Sequence, residues 1–321
     1  MIENIREKYS IGALLYSPAL NTGIAQAVTE EKYSRPYSLA ICLEDTISDD
    51  SVEAAEEQLC ITLRMIFEEY TKKLFYLPKI FIRVRSSEQM MRLYERLHEY
   101  SGIITGFIFP KYTLSNADSY NDAVRKINEL SDRIIYMMPI LESSDIIDYF
   151  ARHEVLAGIK EKIDSVRNYV LNIRVGGNDF SNQFSTRRHY DETIYDILPI
   201  AQLFGDILTV FSREYVVSGA VWEYFSSEND EWKTGMLREL KLDKLNGFVG
   251  KTVIHPKQID VVNESLTVSR KDYEDARDIL NWDKSGLQVG KSFGGERMNE
   301  IKTNINWAYK TIILSEIYGI K

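Results

Sequence analysis

Eight apolar runs rich in β-branched and aromatic residues alternate with amphipathic stretches, and this alternation restricts the fold more than any other feature of the chain. The runs are ALLYSPA from Ala13, SLAICLED from Ser38, KIFIRVR from Lys79, GFIFPK from Gly106, RIIYMMPILES from Arg133, YVLNIRVGGND from Tyr169, VVSGAVW from Val216 and GKTVIHP from Gly250. Between them apolar residues recur at helical spacing, as at Val52, Leu59, Leu63 and Ile66, and again at Met91, Leu93, Tyr94 and Leu97. Strands apolar on both faces need cover on both sides, and a parallel sheet wrapped in helices provides it. The expected class is therefore α/β, a closed (β/α)8 TIM barrel. An open doubly wound sheet is the alternative. It usually begins with a glycine-rich phosphate turn, and SPALNTG after the first run does not have that pattern.

The texture changes after Ile259. A helical stretch DYEDARDILNW is followed by a Gly/Ser-containing loop, DKSGLQVGKSFGGER, and by a last helix INWAYKTIILSEIYG. The expected division is a barrel over residues 1–262 and a helical extension over 263–321 that covers one end of it.

Composition narrows the function classes. A hydrophobic content of 44% and a charged content of 27% suit a soluble globular chain, and 321 residues suffice for one large barrel. With 39 basic against 48 acidic residues, a net charge of −9 and no local basic run, nucleic acid is not an expected partner. The start MIENIREKYSIGALLY lacks an apolar signal region, and no run reaches the roughly eighteen apolar residues of a membrane span. A cytoplasmic protein without membrane partners is expected. Cys42 and Cys60 are too few and too separated for a metal-ligand pair or a disulfide framework and read as reduced, buried thiols.

Polar residues crowd the ends of the apolar runs: Glu44 and Asp45, Arg83 and Arg85, Lys111, Glu142, Asp179 and His255. In such barrels the C-terminal strand ends meet at one mouth, where the chemistry sits. Glu142 and Asp179 close consecutive strands, so their carboxylates can meet at about 5 Å. Alone they would repel, and one would take up a proton. A divalent cation resolves the conflict, and an all-oxygen donor set favours Mg²⁺, with Mn²⁺ second. Gly176 and Gly177 would let the backbone turn sharply and come close to the ion or its ligand. The competing reading makes Asp179 a turn cap and Glu142 the partner of an arginine. Arg83 can hold a substrate carboxylate in a bidentate fork, or bridge internally to Glu44 or Asp45, and the two roles are compatible.

GLQVGKS from Gly286 approaches a phosphate-binding loop, but it is one residue short and follows no expected strand. Of the histidines, His255 in IHPKQ reads as part of a turn, whereas His189 beside Arg187 and Arg188 is the better titrating group.

Taken in order, these segments resemble the citrate lyase β-subunit-like group of the HpcH/HpaI aldolase superfamily of metal-dependent C–C bond lyases. CLEDTI is similar to its LEDxV segment, IRVR to VRVN, GFIFPK to GxxLPK, PILES to its strand ending in Glu-Thr or Glu-Ser, GGNDF to its G-x-E-D-L segment, and GFVGKTVIHPKQI to GFxGKxxIHPxQ. The resemblance covers nearly the whole chain. It implies a carbon–carbon lyase or aldolase acting on a carboxylate-bearing oxo or hydroxy acid or its acyl thioester. Glu142 and Asp179 would be the Mg²⁺ ligands, Arg83 would bind the substrate carboxylate, and Glu44 and Asp45 would support it, with Lys111 beside the substrate. The extension would close over the site, often that of a neighbouring subunit, in a homo-oligomer such as a trimer or hexamer.

The chain also departs from the pattern. Asn178 stands where an acid is usual, Arg85 where an asparagine is usual, and STRRHYDETIYDI follows the sixth run. These features look closer to the C–C lyase-like branch found in tellurium-resistance and stress operons. Arg85, Arg187 and Arg188 together suggest a polyanionic ligand, phosphorylated or nucleotide-like. The proton-moving base is left open among Asp45, Glu44, His189 and an acid of a neighbouring subunit. The alternative function is a catalytically silent metal- and anion-binding protein of a stress-response operon.

Overall fold

The computed structural model of the protein describes residues 2–282 and 286–321. All eight apolar runs are parallel strands: β1 Ala13–Pro18, β2 Ser38–Cys42, β3 Lys79–Arg83, β4 Ile104–Phe109, β5 Tyr136–Leu141, β6 Ile173–Val175, β7 Val217–Ser218 and β8 Lys251–Val253. Their order is β7-β6-β5-β4-β3-β2-β1-β8, so the first seven follow the chain and β8 lies beside β1. The gap between β7 and β8 is bridged by backbone. The Gly219 N–H donates to the Gly250 carbonyl at 3.0 Å, and the Val249 N–H donates to that of Val217 at 2.8 Å. A parallel bridge from Gly219 to Lys251 completes a nearly closed (β/α)8 TIM barrel.

Alternation along the strands divides the core. Leu14, Ala40, Phe81, Ile108, Met138 and Ile140 pack together with Ile11 and Leu171, and Tyr16 and Tyr136 lie against them. The alternate residues Leu39, Ile41, Ile80, Ile82, Phe107 and Phe109 are buried as well, as strands covered on both faces require. The helix Val52–Lys72 buries Ala55, Leu59, Leu63 and Ile66 on one stripe. Ser86 caps the helix Ser87–Arg96 by accepting the Gln89 N–H. Cys42 is buried and Cys60 only half-buried, and both are free thiols.

Two compact units are present. One is Ile11–Val262; the other joins the residues preceding Ile11 to Asn263–Lys321. In the second, the helices Arg270–Asn281 and Ile301–Tyr318 pack through Ala276, Ile279 and Ala308, and the Tyr318 hydroxyl donates to the Tyr9 carbonyl at 2.9 Å. The stretch between them, expected as a loop, contains a hairpin of β9 Val289–Lys291 and β10 Met298–Glu300, while its first residues, 283–285, lie outside those described. GLQVGKS thus runs into a hairpin strand, and a Cβ on Gly290 would stand 2.3 Å from the Trp282 ring, so no phosphate cradle forms there. Among the described residues no helix is long and apolar enough to cross a membrane.

A fully buried charge network holds the helix Glu231–Asn246 to β8. Lys251 Nζ reaches Glu239 Oε1 at 2.8 Å and Asp243 Oδ2 at 2.7 Å. Arg188 pairs with Glu239, and the Tyr195 hydroxyl donates to Asp243. Two cations thus face two carboxylates. Removing one member leaves a buried charge without its partner, at a cost of about 3–5 kcal/mol. Lys251→Met should lower the urea midpoint by the equivalent of that loss, and an unchanged midpoint would refute the structural role of the network.

Candidate active site

At the C-terminal strand ends a cavity of about 230 Å³ is lined by Tyr16 of β1, Asp45 after β2, Arg83 ending β3, Glu142 after β5, Arg174 of β6, Asp179 and Thr252 of β8, among others. Six of the eight strands thus contribute a polar group, which is the convergence that a barrel mouth provides.

Glu142 and Asp179 both line this cavity. Glu142 is 5% exposed, and its Oε1 accepts the Lys111 N–H at 3.0 Å and Arg83 Nη2 at 3.3 Å. Burial, opposed by Arg83 and reinforced by the charge of Asp179, pushes its carboxyl up to about 8. Asp179 is the third residue of the helix Gly177–Gln183, so it stands in the first turn, past the cap position held by Gly176. Glu142 does pair with an arginine, as the competing reading has it. Gly176 has an ordinary extended backbone, and the reason for glycine is space: a Cβ there would lie 2.3 Å from Glu142 Cβ and 2.6 Å from its Oε2. The close approach expected of this glycine is made to Glu142.

Arg83 is 8% exposed, and its Nη2 is shared by Glu44 at 2.6 Å, Asp45 at 2.9 Å and Glu142 at 3.3 Å. Lys111 Nζ reaches Glu44 at 2.6 Å and Asp45 at 2.9 Å, so its ammonium is engaged with the acids and does not line the cavity. The partial burial that would raise the Asp45 carboxyl is outweighed by its hydrogen-bonded neighbours Glu44 and Lys111 and by the Arg83 charge, which together hold it low. Of the bases considered within the chain, Asp45 lines the cavity, whereas Glu44 and His189 do not. His255 stacks on Phe225 with centroids 4.8 Å apart and accepts the Lys257 N–H, a role in the turn.

The expectation that Arg85, Arg187 and Arg188 gather with Arg83 around one anion is corrected. Arg85 ties down the segment after β2, donating to the Leu43 and Ile47 carbonyls and to Asp49. Arg187 is exposed and meets Glu223 at 3.3 Å. Arg188 is buried over the Trp222 ring and paired with Glu239. None of the three lines the cavity.

Several lining residues escaped the sequence reading. Arg174, Tyr16 and Thr252 lie inside apolar runs rather than at their ends, so a search for strand-terminal charges passes over them. Alternation held the signal: Asn172, Arg174 and Gly176 are spaced by two and share one face of the strand.

The raised carboxyl of Glu142 has a consequence for stability. Folding favours its protonated form, so this contribution is complete below its ordinary value of 4.5 and is lost as pH rises through about 8. In a chelator, the melting temperature of the wild type should fall relative to Glu142→Gln across that window. A difference that stays flat with pH would contradict the raised carboxyl.

The family described as C–C bond lyase of the TIM-barrel fold matches residues 5–320. Among solved structures, the chain is similar to CitE from Mycobacterium tuberculosis in complex with magnesium, acetoacetate and coenzyme A, at 18% identity and a TM-score of 0.62, covering 96% of this chain and 99% of that one. It is also similar to the citrate lyase β subunit of the same organism complexed with oxaloacetate and magnesium, at 18% identity and a TM-score of 0.53 over 81% and 98% of the two chains. A Haloferax volcanii malate synthase in a pyruvate/acetyl-CoA ternary complex matches at 12% identity and a TM-score of 0.56, over 79% and 69%. At such identities these likenesses speak to the fold. No curated protein matches the chain. With the family match running almost from end to end, the chain belongs to the C–C bond lyase family of the TIM-barrel fold.

Proposed function

We propose that the protein is a Mg²⁺-dependent carbon–carbon lyase or aldolase acting on a carboxylate-bearing oxo or hydroxy acid or its acyl thioester. The observation that carries this reading is the pair Glu142 and Asp179 beside Arg83 in the cavity. One carboxyl is raised by burial and by the other's charge, and among the described residues no ion pair joins the other to a cation. Such a pair fits a hard divalent ion, Mg²⁺ first and Mn²⁺ second. Among the described residues no three His, Cys, Asp or Glu side chains are placed to hold a metal, so water and substrate oxygens would complete the shell. Glu142 and Asp179 would hold the ion, which would supply positive charge where negative charge develops on a substrate oxygen. Related folds support the reading, since the similar CitE structures hold magnesium with acetoacetate or oxaloacetate.

In this reading Arg83, held in place by its three acids, fixes the substrate carboxylate. Asp45, ionised and at the cavity wall, moves the proton that carbon–carbon cleavage requires. Incubation with Mg²⁺ and a panel of citryl-, malyl- and methylmalyl-thioesters and short oxo acids should release pyruvate, glyoxylate or oxaloacetate. Binding of Mg²⁺ and of an acid without turnover would instead favour the silent binding protein, with which Asn178 in place of the usual acid is compatible.

Glu142→Gln and Asp179→Asn should each abolish Mg²⁺ binding by calorimetry while the far-ultraviolet spectrum stays native. Unchanged affinity in both would sink the metal assignment. Arg83→Ala should lower kcat/KM by about 10²-fold or more, because it removes the group that orients the reacting acid.

A further inference from the structure

We propose that Arg174, with Tyr16 and Thr252, forms a second anion subsite in the cavity, which takes the distal carboxylate of a compact dicarboxylic acid whose reacting end meets Arg83. This deepens the function proposed above and rests on it for the reacting end alone.

Arg174 is 1% exposed. Its Nη2 donates to Thr252 Oγ1 at 2.7 Å and its Nη1 to Asn172 Oδ1 at 3.5 Å, while Nε has no hydrogen-bond partner among the described residues. No carboxylate pairs with it among the described residues. The other buried cations are treated differently: Arg83 has Glu44, Arg152 has Asp206, Arg188 has Glu239, and Lys251 has Glu239 and Asp243. Neutral hydroxyl and amide oxygens orient a guanidinium without neutralising it. Arginine cannot escape by losing its proton, so an unmatched buried guanidinium carries a desolvation cost that only an anion offsets.

Tyr16 does not supply that anion. It lies beneath Arg83, whose guanidinium sits 5.8 Å from its ring centre, and it also interacts with Arg174. Burial pushes its phenol up to about 12, so it remains a neutral donor between the two arginines. Arg83 is already surrounded by carboxylates and serves mainly to orient, whereas Arg174 offers uncompensated charge to whatever enters. At about 230 Å³ the cavity has room for both ends of a short acid.

L-malate and L-lactate test the subsite because they share a 2-hydroxy acid end and differ by the distal carboxylate. Calorimetry on the full chain, with and without Mg²⁺, should show malate binding the wild type at least tenfold more tightly than lactate. Arg174→Met should bring the two within about twofold of each other by weakening malate alone, and Thr252→Val should reduce the ratio severalfold. In parallel, the ligand-free Arg174→Met protein should melt at or above the wild-type temperature, because the charge removed has no partner. A preference for malate that survives in Arg174→Met, equal binding of both acids to the wild type, no binding of either, or a lower melting temperature of ligand-free Arg174→Met would each overturn the subsite. Malate selectivity that depends on Arg174 but is indifferent to Mg²⁺, in a protein that binds no Mg²⁺, would uphold the subsite and refute the metal-assisted lyase.

Discussion

Arg83 ends a strand that is covered on both faces, and one of its nitrogens is shared among carboxylates from two other strand ends. The rest of the mouth depends on that arrangement. A guanidinium cannot be buried without anions, and anions cannot be crowded without a cation, so each group fixes the position of the next. Glu44 and Asp45 are drawn in by Arg83 and held from the far side by Lys111. Burial of Glu142, reinforced by the nearby charge of Asp179, makes its ionisation costly. The backbone adapts to this crowding at Gly176, where any side chain would collide with Glu142.

The barrel unit contains two sets of buried charges that differ in their balance. Behind β8, Lys251 and Arg188 face Glu239 and Asp243, two against two, with Tyr195 donating the remaining hydrogen bond. Such a set can hold a helix to a strand without needing a ligand. In the cavity the charges do not match locally: among the described residues no ion pair joins Asp179 to a cation or Arg174 to a carboxylate. Mismatched charges sitting in a cavity are what a binding site looks like before its ligand arrives, because the incoming groups provide the missing partners. This contrast separates the network that stabilises from the one proposed to bind.

Much of the barrel was legible in the chain. Runs such as SLAICLED and KIFIRVR bury both faces of a strand, and such runs alternating with helices leave few architectures open. Glu142, Asp179 and Arg83 could be singled out because a charge stands out where an apolar run stops. Arg174 and Tyr16 could not be found the same way, because they sit within their runs and only the inward-facing alternation distinguishes them. Arg187 and Arg188 show the opposite failure. They are neighbours in sequence, yet one reaches solvent and Glu223 while the other is buried over Trp222 beside Glu239, a residue far along the chain.

The sequence by itself determined the period, the number of barrel strands and the polar residues at their ends, since these follow from local alternation and from where apolar character stops. Only the tertiary structure decided which charges are matched. That question depends on distances between side chains from different strands, and these exist only once the barrel closes. Closure brings Thr252 of β8 to Arg174 of β6, with no carboxylate paired to that arginine among the described residues, and it spends Arg85 on the carbonyls of its neighbouring segment. The counterion of a buried charge is a property of the closed shape, and no spacing within one strand records it.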